Sequence, residues 1–301
     1  CWTGIDWTAD SFETGTRAAA CGGTTTIVDY ATADRGVTMP DALDEWHRRA
    51  DGTCTANYAF HMALAEWNER NREDLAVMRE RGVCSFKTYF AYDHLRLDDA
   101  ETLAVMESLE PLGGTLCVHC ENGTLVNELQ RRVYDEGIHG PEGHPLSRPA
   151  ECEAEAISRL LYLAHLAGDA RVNVVHLSTK MGLDAIRAAG ITMPVDVGIM
   201  PILDQAATIN MALSRNGCVM PRALCEIISK NWIFPNPFVK DPFDADVEGK
   251  KASFKAAGIE YTINQIDEYR ACGVDGIHLY ALNKYDDVAY IAKAAGLLDL
   301  I

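Results

Sequence analysis

Three apolar runs of this chain each carry, at or near their end, a side chain able to bind a metal or move a proton. They are Ser85 to Tyr92 with Lys87, Leu116 to Asn122 with His119, and Val172 to Ser178 with His176. Successive strands that finish on such residues aim them at one place when the strands lie parallel in a single sheet. The pattern therefore predicts a parallel α/β arrangement with its site at the strand carboxyl ends.

The rest of the chain keeps the same rhythm. A glycine pair, Gly22-Gly23, caps a helix over Asp10 to Ala20 and precedes the β-branched run Thr24 to Asp29. Further strands are predicted over Asn57 to Met62, Val83 to Phe90, Gly114 to His119 and Val172 to His176. Between the last two a long helix is opened by Ser147 as N-cap, with Pro149 in its first turn and Glu151, Glu153 and Glu155 favouring its N-terminus; Gly168 closes it. After residue 190 two more strands are predicted, Val195 to Pro201 and Gly276 to Ala281. They are separated by helices over Gln205 to Ser214 and Tyr261 to Cys272 and by a polar-aromatic segment from Trp232 to Asp246. Seven strands predict an α/β fold of the (β/α)8 TIM-barrel type that is one strand short: either the first strand is missing or one escapes the pattern. No G-x-G-x-x-G follows the first strand, which argues against a dinucleotide-binding fold.

Composition narrows the partners. Lys and Arg number 27 against 44 Asp and Glu, and the formal charge of −17 would repel a phosphate backbone, so no nucleic acid is expected. No apolar run reaches the ~18 residues of a membrane span and no leader pattern opens the chain, so a cytoplasmic protein without a membrane partner is expected. The ten cysteines are scattered and predict reduced thiols rather than a disulfide framework. Cys117-Val118-His119-Cys120 has the look of half a structural zinc site, but no second half follows.

Residues from about 6 to 190 resemble the dihydropyrimidinase and hydantoinase branch of the cyclic amidohydrolases. The likeness is carried by Phe12 to Ala20 with the following Gly-Gly-Thr-Thr-Thr, Asn57 to Met62, Lys87 to Tyr92, Val118 to Gly123, His144 to Pro149 and Val175 to Ser178, in that order. It implies a barrel holding two zinc ions bridged by Lys87 as its carbamate, with His119 and His176 on the second metal and Tyr92 steadying the oxyanion. The implied substrate is a small cyclic ureide, opened at an amide C–N bond. A bare ammonium would repel zinc, so only the carbamate of Lys87 makes sense as a bridge. Glu121 and Asn122 either orient His119 or touch substrate, and His144 and Arg148 fix the loop and helix start. Two parts of the family pattern, a His-x-His pair expected before Cys1 and a late Ser-Asp-His type motif, are not found. An impaired hydrolase is therefore expected, with a non-catalytic hybrid or scaffold barrel as the alternative. A barrel lacking a strand exposes a sheet edge, which predicts a homo-oligomer.

Residues 191 to 301 resemble a different family. Gly190 to Ile202 and Gly273 to Lys284 look like the last two strands of methylenetetrahydrofolate reductase, so the chain reads as a hybrid joined near Ala188 to Ile191, its tail completing the same barrel. Tyr280, Leu282 and Lys284 match positions that contact folate or nicotinamide in that family, with Lys284 in place of the usual arginine. The strands that carry the family's catalytic acid and most flavin contacts are not recognised, so a flavin-dependent reductase is the third reading and flavin is not expected. His278 and Asp196 are expected to line the barrel structurally.

Overall fold

The computed structural model describes residues 10–140, 143–213, 220–232, 247–281 and 284–298. The opening residues 1–9, residues 233–246 of the polar-aromatic segment, and Leu282 lie outside them. In chain order the elements are α1 (Phe12–Cys21), β1 (Thr26–Ala33), α2 (Met39–Ala50), β2 (Asn57–Leu64), α3 (Glu69–Glu80), β3 (Ser85–Tyr89), α4 (Asp99–Leu109), β4 (Thr115–His119), α5 (Gly123–Asp135), α6 (Gly143–Leu146), α7 (Ala150–Leu166), β5 (Val172–Val174), α8 (Lys180–Ala188), β6 (Asp196–Ile199), α9 (Gln205–Leu213), α10 (Arg222–Lys230), α11 (Val247–Ala271), β7 (Gly276–Leu279) and α12 (Tyr285–Ala294). The fold is α/β with parallel sheets, as expected. Two compact units are present: one runs to Gly137 and resumes over Leu146–Ile191, and the other takes Ile138–Pro145 and the chain from Thr192 onward.

In the first unit β1 to β5 form one parallel sheet in sequence order. Its register sorts the side chains into two unlike faces, because residues aligned across parallel strands share a side. Ala31, Met62, Phe86, Leu116 and Val172 are aligned. They belong to the same apolar cluster as Leu43, Leu75, Met78, Met106 and Ile157 of the helices. Each fully buried large side chain there contributes roughly 1.5–3 kcal/mol. The opposite face carries Thr32, Ala63, Lys87, Cys117 and Asn173 in one row, flanked by Tyr30, His61 and Ser85 below and by Tyr89 and His119 above. Lys87 and His119 thus lie on the face opposite that apolar row.

The helices that follow the strands are started by their own side chains. Thr38, Asn68, Asp98, Asn122 and Thr179 each accept a backbone N–H at the first turn of α2, α3, α4, α5 and α8. The expected cap of α7 differs. The helix begins at Ala150 with Pro149 at the N-cap and no side-chain cap, while Ser147 is buried beside Arg148. The fixed φ of proline, −64° here, sets the helix start without help from a hydroxyl.

In the second unit β6 and β7 pair in parallel as a separate two-stranded sheet. Val197, Ile199, Ile277 and Leu279 pack with Ile266 of α11 and Ile291 of α12. The other face, with Asp196, Gly198 and His278, is again the polar one. The helix expected over Tyr261 to Cys272 is longer, starting at Val247. Its interior Gly258 is where the loop after β6 comes closest: an added Cβ would lie 2.0 Å from the Ile202 carbonyl oxygen. Thr262 fixes that approach, donating to the Gly258 carbonyl at 2.8 Å and accepting from the Ile202 amide at 3.2 Å. Among the described residues no helix is long and apolar enough to cross a membrane.

Candidate active site

The site of the first unit is assembled at the carboxyl ends of β3, β4 and β5. His119 is the last residue of β4 and is buried, with 8% of its surface exposed. His176 stands two residues beyond β5, after the Val175 amide has extended the pairing by donating to the Val118 carbonyl at 3.2 Å. Its φ of +43° turns the backbone out of the strand direction. The two rings meet, His119 Nδ1 lying 2.9 Å from His176 Nε2.

The other nitrogen of His119 fixes its tautomer. Nε2 is 2.7 Å from Glu121 Oε2, and a carboxylate can only accept, so Nε2 carries a hydrogen and, in the neutral ring, Nδ1 presents a lone pair toward His176. Glu121 is held in turn by Arg148, whose Nε is 3.4 Å from Oε1. Loss of water around the ring, and then the neighbouring His119, keep the His176 pKa below its ordinary value. Its neutral form therefore prevails at neutral pH.

Lys87 sits on the same face in the middle of β3 and is 5% exposed. Its Nζ donates to the Thr88 carbonyl at 3.0 Å and lies 3.7 Å from the centroid of the Tyr89 ring. Burial pushes its pKa down to about 7, with Cys120 and Cys117 opposing weakly. About half of this amine is neutral at pH 7, an unusual state for a lysine.

Tyr92 packs beside these groups. Its ring is 5.0 Å from that of His119 and 6.0 Å from that of Tyr89. Burial, then the charge of Glu121, raises the phenol pKa, and Arg148 opposes. Its φ of +66° is a conformation non-glycine residues avoid; the turn is held by the Leu95 and Arg96 amides, which donate to the Tyr92 carbonyl at 2.8 and 2.9 Å. Gly123, first residue of α5, backs this loop. Its amide donates to the Phe90 carbonyl at 3.1 Å, and a Cβ would lie 2.7 Å from that oxygen and 2.8 Å from Ala91 Cα.

Lys87, Tyr92, His119 and His176 are thus brought to one sheet face, with Lys87 close enough to act electrostatically on His176. Sequence reasoning missed three contributors. Tyr89 lies between Lys87 and Tyr92, and period-two alternation on β3 puts it on the Lys87 side. Arg148, read as a loop anchor, also reaches Glu121. Glu153, read as a helix-terminus charge, is buried at 8% exposure and accepts from the Ser178 and Thr179 amides at 2.9 and 2.8 Å, pinning the loop after His176. Nothing in its local spacing distinguishes it from Glu151 or Glu155. Tyr280 and Lys284 lie in the second unit, beside the cavity at the ends of β6 and β7.

The chain is similar in sequence and fold to known proteins. The chain is 40% identical over 194 residues to a D-hydantoinase of Streptomyces coelicolor, an alignment covering 64% of this chain and 41% of the relative. Over those residues it is homologous to the hydantoinases. The D-hydantoinase structure from Bacillus sp. AR9 superposes with a TM-score of 0.62 at 35% identity, covering 65% of this chain and 44% of that one. An L-hydantoinase (dihydropyrimidinase) from Arthrobacter aurescens shares the fold over 89% of this chain and 52% of its own, with a TM-score of 0.58 at 20% identity. The chain spans about two-fifths of the length of the curated relatives it matches. No protein-family model matches it.

Proposed function

We propose that the chain carries the site of a cyclic-amide hydrolase of the hydantoinase and dihydropyrimidinase type, opening a five- or six-membered cyclic ureide at an amide C–N bond. The observation that carries this reading is the run His176, His119, Glu121 and Arg148 at the strand ends of a sheet homologous to hydantoinases. In the same reading the five-stranded sheet is part of a (β/α)8 barrel wall, its polar face the interior. Residues 191–301 complete that barrel from a reductase-like source; this part rests on the strand motifs of Gly190 to Ile202 and Gly273 to Lys284.

The donor set suits zinc in part. Two neutral imidazole nitrogens converge, His119 is oriented by a carboxylate on its other nitrogen, and Lys87 is buried with an amine neutral enough to add carbon dioxide and become an anionic carbamate. His119 Nδ1, His176 Nε2 and carbamylated Lys87 would hold the ion, which when bound polarises a carbonyl and acidifies water. The protein's own part is orientation and charge. Glu121 locks the His119 tautomer. Tyr92, with its raised pKa, keeps its proton at neutral pH and donates to the oxyanion that develops as the ring carbonyl is attacked.

The test is ring opening of hydantoin and dihydrouracil by protein supplied with zinc and bicarbonate. Release of the open-chain carboxylate, lost in His119→Ala, supports the proposal; turnover no greater than that of His119→Ala contradicts it. One observation favours the second reading, a non-catalytic barrel with remnants of a site: among the described residues no group of three or more His, Cys, Asp or Glu is placed to hold a metal ion.

A further inference from the structure

One row of side chains on the polar face of the first sheet takes no part in the hydrolase reading. Tyr30 and His61 are aligned across β1 and β2, and Ser85 opens β3 one residue before the aligned pair Met62 and Phe86. The three stand side by side, two rows below Tyr89 and His119. At ~3.3 Å per residue that is roughly 13 Å from His119 along the strands. All three are half-buried, so a small molecule can reach them.

His61 Nδ1 and Ser85 Oγ are hydrogen-bonded to each other. With the ring hydrogen on Nε2, Nδ1 accepts the hydroxyl, which is the arrangement of a serine nucleophile and its base. Such a base must also be held in place. The Tyr30 ring lies against the imidazole, with centroids 4.8 Å and planes 31° apart, and the Asp29 carboxylate acts on it electrostatically. Burial lowers the His61 pKa, with Asp29 opposing, so the ring is neutral and able to take a proton at neutral pH.

A second histidine–hydroxyl pair shows what a purely structural one looks like. His47 Nδ1 lies 3.1 Å from the Tyr58 hydroxyl, but that hydroxyl already donates to Asp51 and its hydrogen is spent. Among the described residues Ser85 Oγ has no side-chain partner other than His61. A dyad of this kind favours a leaving group that departs readily, and the Tyr30 ring beside it gives an aromatic leaving group a surface to stack on. Together these features select a small aryl ester over an amide.

We propose that Ser85 and His61 form a nucleophilic dyad that hydrolyses small aryl esters, Ser85 being the residue acylated. Ser85 Oγ bonds to the ester carbonyl carbon as its proton passes to His61 Nδ1. The bond to the aryl oxygen then breaks, and the phenol leaves with that proton. Water attacks the acyl carbon, gives a proton to His61 Nδ1 and releases the carboxylic acid, and the proton returns to Ser85 Oγ. The dyad shares no residue with Lys87, His119 and His176, so it stands whether or not the hydrolase reading does.

The test is hydrolysis of 4-nitrophenyl acetate by the full chain in excess chelator, which keeps it separate from zinc-supplied ring opening of hydantoin. Saturable release of nitrophenol is expected, falling about a hundredfold in Ser85→Ala and in His61→Gln and staying within about twofold in His165→Ala, which removes an exposed imidazole. Treating the parent chain with 4-nitrophenyl trimethylacetate, whose acyl group leaves slowly, should add one acyl group, found on Ser85 by mass spectrometry. That adduct is read without any substitution, so it decides the matter even where a variant fails to fold. The proposal is overturned by no adduct, by an adduct on another residue such as Lys87, by turnover that survives Ser85→Ala or His61→Gln, or by turnover that His165→Ala removes.

Discussion

His119 and His176 share one hydrogen between two ring nitrogens 2.9 Å apart, and Glu121 decides which ring supplies it. Because Glu121 claims the hydrogen on His119 Nε2, the proton between the rings belongs to His176 Nε2. A metal ion replacing that proton would find both lone pairs already aimed at it. Glu121→Gln removes the charge and keeps the size, so the fold should survive while zinc affinity falls roughly 10–100-fold. Competition with a chromogenic chelator, read beside the thermal melt, checks this; unchanged affinity would show that Glu121 does not orient the ligand.

Lys87 makes stability depend on pH with a definite sign. Its pKa falls to about 7 on folding from an unfolded value near 10.4, so between those limits the unfolded chain binds more protons and stability rises with pH. The contribution is complete above the unfolded pKa and is lost as pH falls to about 7, below which the cost of the buried charge is fully felt. In chelator-treated protein Lys87→Met should therefore raise the melting temperature most at pH 6–7, with the gain shrinking toward pH 10. A gain that does not vary with pH would contradict a buried ammonium.

His176 and Tyr92 adopt left-handed backbone angles that cost a non-glycine residue roughly 1–2 kcal/mol each. Two candidate site residues carrying this strain is the pattern expected where position is held for function. His176→Gly should be more stable than His176→Ala by about 1 kcal/mol, since glycine accepts φ near +43° without strain. Urea midpoints of the two variants measure the difference, and equal midpoints would mean that the angle is not adopted in solution.

Glu153 is a buried carboxylate spent on backbone amides, and Thr179 also donates its hydroxyl to it at 2.5 Å. Glu153→Ala should cost about 3 kcal/mol or more by orphaning the Ser178 and Thr179 donors, and Glu153→Gln less, because the amide oxygen can still accept. Should both variants melt like the parent, the loop after His176 is held by something else.

Much of this was legible in the sequence. The seven strands of the described residues were expected close to where they occur, because most are short β-branched or apolar runs. The face taken by His119 and Lys87 was legible because alternation and strand ends fix it, whereas Tyr92, beyond the end of β3 and at positive φ, was reached only through the family resemblance. What escaped was set by tertiary contact. The first half of α11 was not read because an interior glycine weakens a helix by about 1 kcal/mol, and Gly258 is there to admit the Ile202 carbonyl. Helix α10 (Arg222–Lys230) was not anticipated. Glu153 looks like any acid near a helix start until Ser178 and Thr179 fold onto it.

The most direct measurement is zinc per chain by elemental analysis, on protein purified without chelators in the presence of bicarbonate, for the parent and for His119→Ala. One zinc ion per chain that disappears in the variant is the result this account predicts. A value near zero in the parent, or zinc retained by His119→Ala, would contradict it and leave the two histidines as remnants of a site.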